Sequence, residues 1–441
     1  MSTSFPYRLA GLLSFVGLCC GLAACGAALR RNAPVSPDGY AAFEHHGVHP
    51  VVDAAEERTA TVGLSCDRAS YTIARHYLEA GRWPPAAAVR VEDFVAALAG
   101  RGGEDGEGPW LASSIGPSPF RPGWKVLVLR VSAARLGWAP VRQKPLVISD
   151  REGGLEATFA RWGYPVRRGT LADLEHEGPV ILVSSGAGLG GPEAQGPLLR
   201  KAAEQRQRGP VSIVGRLEGG LDDALLDAIA SAGGGTYEAV RPDDVAAFDG
   251  LVDRLLRPAM AMDARLVVSF EGVKRWRLVG YESTSPAPWT GEVSGAALSE
   301  DAVHVVFELD LAVQEEGRGD AAVSPSLGGA AEGSRSRASV NLGTVALEAR
   351  PPHARTLHRT APVVLRPQAG AALHDRVALI AMTAEVLRGS YWSKDVELAT
   401  LRAEARRLGR ADLVELVDLV ERAAPTGARA VRPSRRESPL P

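Results

Sequence analysis

Val180-Ile181-Leu182-Val183 limits the fold of this chain more than any other segment. Four consecutive aliphatic residues leave no polar side, so a strand here is covered on both faces. Its neighbours repeat the pattern. Leu146–Ser149, Val211–Val214 and Tyr237–Val240 are further short apolar strands. Between and after them, Leu155–Trp162, Leu198–Arg208, Leu221–Ile229 and a segment starting at Asp243 carry helical spacing. Gly209 and Gly233-Gly234-Gly235 stop two of these helices. Strand and helix in alternation predict an α/β fold, a parallel Rossmann-like sheet with flanking helices. Val126-Leu127-Val128-Leu129 predicts one more strand, at Trp124–Val131, at the start of that unit.

The flanks differ. Ile73 and Tyr77 mark a helix over Ala69–Ala80, ended by Gly81 and the turn at Trp83-Pro84-Pro85. Val91, Phe94, Val95 and Leu98 mark a second. After Arg265 the texture becomes β-rich. Leu266–Phe270, Arg275–Tyr281, Val303–Leu311 and Leu342–Glu348 read as strands without intervening helices, and the region ends in helices at Asp375–Leu387 and Val396–Arg422. With 48 Gly and 30 Pro in 441 residues, loose segments are expected between folded modules. They are a tether at 26–60, a disordered insertion at 314–338 and a polar tail at 425–441. His45, His46 and His49 lie in the tether without further ligands in sight. The net charge of −2 supplies no footprint for nucleic acid.

The N-terminus points to a compartment. Arg8 precedes an apolar run, Leu9–Leu22, shorter than the roughly 20 residues of a membrane span and suited to a secretory signal. Leu22-Ala23-Ala24-Cys25-Gly26 resembles a bacterial lipobox, with cleavage before Cys25 and acylation of its thiol. Such a cysteine holds a protein on a membrane surface without a spanning helix. Gly26 carries no Asp-type retention signal for the inner membrane, so the outer membrane is the expected destination. Of the four cysteines only Cys66 falls in the folded part, where it reads as a core thiol.

Several separated motifs, in order, are similar to those of bacterial von Willebrand factor A lipoproteins. Cys66-Asp67-Arg68-Ala69-Ser70-Tyr71, Gly81-Arg82-Trp83-Pro84-Pro85 and Val89-Arg90-Val91-Glu92 resemble the family's N-terminal module. Leu221-Asp222-Asp223-Ala224-Leu225-Leu226 and Gly233-Gly234-Gly235-Thr236-Tyr237 resemble the end of the A domain. Arg277-Leu278-Val279-Gly280-Tyr281-Glu282 resembles the RLIGYEN motif of its C-terminal region. The resemblance implies a signal peptide at 1–25, the tether, an N-terminal module at 61–122, a shortened A-like domain at 123–260 and a C-terminal domain at 261–424.

It also implies a damaged metal site. The family holds Mg²⁺ or Mn²⁺ through DxSxS after the first strand, with a Thr and an Asp from later loops. A hard cation held by hydroxyls and few carboxylates stays electrophilic and takes a partner's carboxylate. Here Asp150 fills the first position, while Glu152 and Gly154 replace the two serines. Ser185 stands for the later Asp, and the Thr-bearing segment is missing. No metal, cofactor or catalytic residue is therefore assigned.

Two other readings stay open: a residual divalent site at Asp150 and Glu152, and a nucleotide-binding enzyme. The second rests on Gly186-Ala187-Gly188-Leu189-Gly190-Gly191, which satisfies GxGxxG after a strand but is followed by Pro192 and Pro197. No nucleophile elbow occurs, and Asp222, Asp223 and Asp227 read as helix-start charge on a solvated face. The expected function is a non-enzymatic, lipid-anchored interaction module whose partner is another envelope protein.

Overall fold

The apolar run at 180–183 is covered on both faces, as its composition requires. The computed structural model describes residues 35–36, 39–99, 109–140, 143–151, 153–173, 175–218, 220–241, 244–285, 293, 295–312, 341–352, 354–366, 368–369 and 372–425. The expected signal peptide at 1–25, the expected insertion at 314–338 and nearly all of the expected tail at 425–441 lie outside them. The strands are β1 (Val35–Ser36), β2 (Gly39–Ala42), β3 (Val52–Asp53), β4 (Thr59–Gly63), β5 (Leu111–Pro117), β6 (Lys125–Val131), β7 (Leu146–Ser149), β8 (Val166–Arg168), β9 (Val180–Ser184) and β10 (Val211–Arg216). They continue as β11 (Leu221–Asp222), β12 (Gly234–Val240), β13 (Met262–Phe270), β14 (Val273–Val279), β15 (Val303–Leu311), β16 (Gly343–Arg350), β17 (His358–Arg359), β18 (Val363–Val364) and β19 (Gln368–Ala369). The helices are α1 (Ala69–Glu79), α2 (Val91–Leu98), α3 (Gly154–Arg161), α4 (Pro192–Arg206), α5 (Asp223–Gly233), α6 (Val245–Leu255), α7 (Ala372–Leu387), α8 (Leu398–Leu408) and α9 (Ala411–Ala423).

The α/β fold predicted from the alternating pattern is present. Five parallel strands run in the order β12-β10-β9-β7-β8. Ile181 and Val183 face α3 and α6 through Leu155, Phe159, Phe248 and Val252. Val180 and Leu182 face α4 and α5. On that second face α1 joins them, with Ala69, Ile73 and Tyr77 in the same core. A helix that belongs by sequence to the N-terminal module thus completes the cover of a short sheet. The junction is hydrogen-bonded too. Arg68 N donates to Tyr237 O at 3.0 Å, and Tyr237 N donates to Asp67 Oδ1 at 2.5 Å, along the open edge of β12.

Two boundary expectations fail. The strand at 125–131 does not open the parallel unit. It is antiparallel to β5 and β15 in the sheet β19-β5-β6-β15-β14-β3. That sheet has both faces buried. Leu127 and Leu129 pack against the second β-sheet, β17-β16-β13-β4, while Val126 and Val128 pack against α2 and α7. Burial on both sides gives the same unbroken apolar run as a parallel strand, which is why pattern alone misplaced it. The tether does not extend to residue 60 either. β2 pairs with β11, β3 with β14 and β4 with β13, and His49 is buried. Burial lowers the His49 imidazole to about 4, against the pull of Glu282.

The segment Arg277–Glu282 joins these layers. Arg277 is fully buried, donates from Nε to Glu308 Oε2 at 3.0 Å and lies 3.5 Å from Glu385 of α7. Glu282 accepts from Arg388 at 3.0 Å. Gly280, at φ +82°, brings backbone so close to α2 that a Cβ there would lie 2.7 Å from Glu92 Oε2. Among the described residues no helix is long and apolar enough to cross a membrane.

Candidate functional site

β7 is the strand at which the parallel sheet changes direction, with β8 on one side and β9 on the other. In open α/β sheets the crevice beyond the carboxyl ends at such a point is where ligands bind. Here the adjacent ends of β7 and β9 deliver Asp150, Ser184 and Ser185 to it. Ser184 Oγ donates to Asp150 Oδ2, and Gly186 N donates to Ser184 Oγ at 2.9 Å. Asp150 Oδ1 is buried with no hydrogen-bond partner. Ser185 is buried, and its carbonyl accepts from Asp222 N at 2.9 Å. Glu152 and Cys25 lie outside the described residues.

The sequence reading missed Arg216. This residue ends β10, and its side chain is 4% exposed. Its guanidinium pairs with Glu156 of α3 and lies 3.3 Å from Ser149 Oγ, which itself donates to Glu156 Oε1 at 2.6 Å. A Cβ on Gly153 would lie 3.0 Å from Arg216 Nη1, so the guanidinium fills the space under the 150–154 loop. The signal was available as a lone arginine closing the otherwise apolar strand Val-Ser-Ile-Val-Gly-Arg. Among the described residues no group of three or more His, Cys, Asp and Glu is placed to hold a metal ion.

The glycine-rich loop spans β9 and α4 without forming a phosphate cradle. α4 starts only at Pro192, after the motif. A Cβ on Gly188 would lie 3.2 Å from Asp150 Oδ2, and one on Gly186 would lie 2.8 Å from Asp222 Cβ. Two acidic residues therefore flank the loop where a pyrophosphate would bring more negative charge.

A second polar cluster is buried between the N-terminal module and the α/β unit. Asp223 and Asp227 are buried, not on a solvated face as the helix-start reading had them. Only Asp222 caps α5, accepting from Leu225 N at 3.1 Å. Arg90 Nη1 donates to Asp223 Oδ2 at 3.0 Å, with Asp93 at 3.4 Å and Asp227 at 3.9 Å, and its guanidinium lies 5.7 Å from the Tyr237 ring centroid. Asp93 Oδ2 accepts from Ser70 N at 2.8 Å at the start of α1. Burial, then the charges of Asp93 and Asp227, push Asp67 up to about 8. Burial, then Glu282 and Asp93, push Glu92 up to about 8. For Asp93 burial outweighs the attraction of Arg90 and gives about 6. Cys66 packs against the β-rich core, where burial pushes its thiol up to about 12 and keeps it un-ionised.

A family model described as von Willebrand factor matches residues 38–103. That segment runs from β2 to just past α2; within it α1 packs on the parallel sheet, while β3 and β4 pair with β14 and β13. No curated protein matches the chain. Among solved structures, the ArnB paralog VWA2 from Sulfolobus acidocaldarius superposes with 12% identity and a TM-score of 0.34, covering 71% of this chain and 97% of that one. A von Willebrand factor type A protein from Catenulispora acidiphila superposes with 15% identity and a TM-score of 0.37, covering 70% and 89%. The human COPII-coat protein Sec24c gives 13% and 0.28, covering 60% and 35%. Residues 38–103 are similar to a von Willebrand factor family model, and they contain α1, the helix that completes the cover of the five-stranded parallel sheet.

Proposed function

We propose that this protein is a non-enzymatic protein-interaction module that binds its partner without a bridging cation. The observation that carries the reading is Arg216. A resident guanidinium at the carboxyl edge, paired with Glu156, supplies the positive charge that a divalent ion would otherwise bring. Asp150 is the one carboxylate left at the former ligand positions that can be placed, and one of its oxygens is already taken by Ser184. A hard divalent cation wants about six oxygens in an octahedron. The donor set here does not fit it. Binding energy then comes from ordinary surface complementarity.

Calorimetric titration of the full chain with Mg²⁺ and with Mn²⁺ tests this. The expected result is no saturable heat in the micromolar range for either ion. Stoichiometric binding that disappears in Asp150→Asn would overturn the reading.

The same proposal places the module on a bacterial envelope membrane through an acylated Cys25, facing another envelope protein. Metabolic labelling with a palmitate analogue is expected to mark the wild-type chain and not Cys25→Ser. Equal labelling of both would sink the anchor.

A further inference from the structure

A cavity of about 200 Å³ lies at the amino-terminal edge of the parallel sheet, opposite the Asp150–Arg216 edge, against the starts of β7, β9, β10 and β12. Five arginines line it: Arg206, Arg208, Arg254, Arg257 and Arg350. Among the described lining residues there is no Asp or Glu.

Three of the five are accounted for by the fold. Arg206 and Arg254 stand in the last turns of α4 and α6, where a cation complements the helix dipole. Arg206 spends its donors on Asp263, Ser231 O and Gly295 O, and Arg254 makes a bidentate pair with Glu238 at 2.8 and 3.0 Å. Arg257 is held by Asp253 at 2.6 Å and Asp301 at 2.8 Å.

Arg350 is different. Among the described residues its one side-chain hydrogen bond runs from Nε to Asp263 Oδ2 at 2.8 Å, and its Nη2 is buried with no partner. Asp263 is the same carboxylate that Arg206 uses. One negative charge between two guanidiniums leaves about one positive charge uncompensated. The backbone at Asp263 sits at φ +54°, a strained region for a residue other than glycine. The chain accepts that strain at the residue placed between the two arginines. Arg208, 41% exposed, adds a further cation facing solvent, 3.5 Å from a Glu177 that is itself almost fully exposed.

We propose that this cavity binds a small organic anion. Its oxyanion pairs with the unsatisfied guanidinium of Arg350, Arg208 draws it in, and a short carbon stem lies against Leu256 and Met262. Guanidinium forks suit planar carboxylates and tetrahedral phosphates alike. A volume of about 200 Å³ admits a compound of a few carbons.

The test is thermal unfolding of the full chain with glycerol phosphate, with citrate and with sodium chloride at matched ionic strength. A ligand that binds only the folded state raises the midpoint as its concentration passes Kd. A saturating rise is expected with at least one of the two organic anions and not with chloride. The tighter one identifies the oxyanion as phosphate or carboxylate. Arg350→Gln is expected to abolish the rise, and Arg208→Gln to weaken apparent affinity at least threefold. Leu256→Trp, which fills the cavity without touching a charge, is expected to abolish it too. An equal rise in chloride would overturn the proposal, as would wild-type affinity in a folded Arg350→Gln. If that variant does not fold, wild-type affinity in both Arg208→Gln and Leu256→Trp would do the same.

Discussion

Replacing Arg90 with Met is expected to destabilise the protein by roughly 3–5 kcal/mol at pH 7, the usual cost of removing one partner from a buried charge network. The substitution keeps most of the side-chain volume. It leaves Asp223, Asp93 and Asp227 in a buried site without the cation they share. It also removes the guanidinium from the face of Tyr237. The sign of the pH dependence follows. Without Arg90 the carboxyls of Asp93 and Asp223 rise further above their unfolded values, so the folded state binds more protons than the unfolded chain. The penalty is present above those raised values and shrinks as pH falls through them. Urea unfolding at pH 7 and pH 5 checks both parts. A loss under about 1 kcal/mol at pH 7, or the same loss at both pH values, would show that the network carries little of the stability. Because Arg90 sits between α2 and α5, the variant is also expected to loosen α1 from the parallel sheet before the rest unfolds.

The wild-type protein is expected to lose stability on the order of 2–3 kcal/mol between pH 6.5 and pH 8. Asp67 and Glu92 are both pushed up to about 8, far above their unfolded values near 4. In this window they are protonated in the folded state and ionised in the unfolded one. Each contributes a slope of up to about 1.4 kcal/mol per pH unit, and stability falls as pH rises. The opposing groups titrate mostly below the window, the histidines up to their unfolded value near 6.5, and His304, lowered by burial to about 3, acts as His49 does. His49, lowered by burial to about 4, is neutral in the folded state and gains stability only as pH rises toward 6.5. Burial pushes Glu282 up, but Arg388 and His49 outweigh it and hold the carboxyl at about 2, so its contribution is lost only in strong acid. The double variant Asp67→Asn, Glu92→Gln is expected to flatten the slope above pH 6.5. An equally steep decline in that variant would assign the slope to other groups.

The sequence by itself determined the parallel α/β unit, because Val180–Val183 has no polar face and the neighbouring strands alternate with capped, glycine-ended helices. It also determined that Asp150 and Ser185 come to one sheet edge, since residues at the ends of adjacent strands are neighbours whatever else the chain does. It marked a module at 61–122 through the Cys66–Tyr71 and Val89–Glu92 motifs, while the pairing of residues 39–60 with the sheets was left to the tertiary structure. The placement of Val126–Leu129 was left to the tertiary structure. A strand buried on both faces looks the same in sequence whether sheets or helices cover it, and partner choice depends on contacts more than a hundred residues away. The roles of Arg90, Arg216 and Arg350 were decided there as well. An arginine in a sequence carries no sign of whether water or a buried carboxylate will be its partner. Only the packing that strips its solvent away makes Asp223, Glu156 or Asp263 worth the cost of burying a charge.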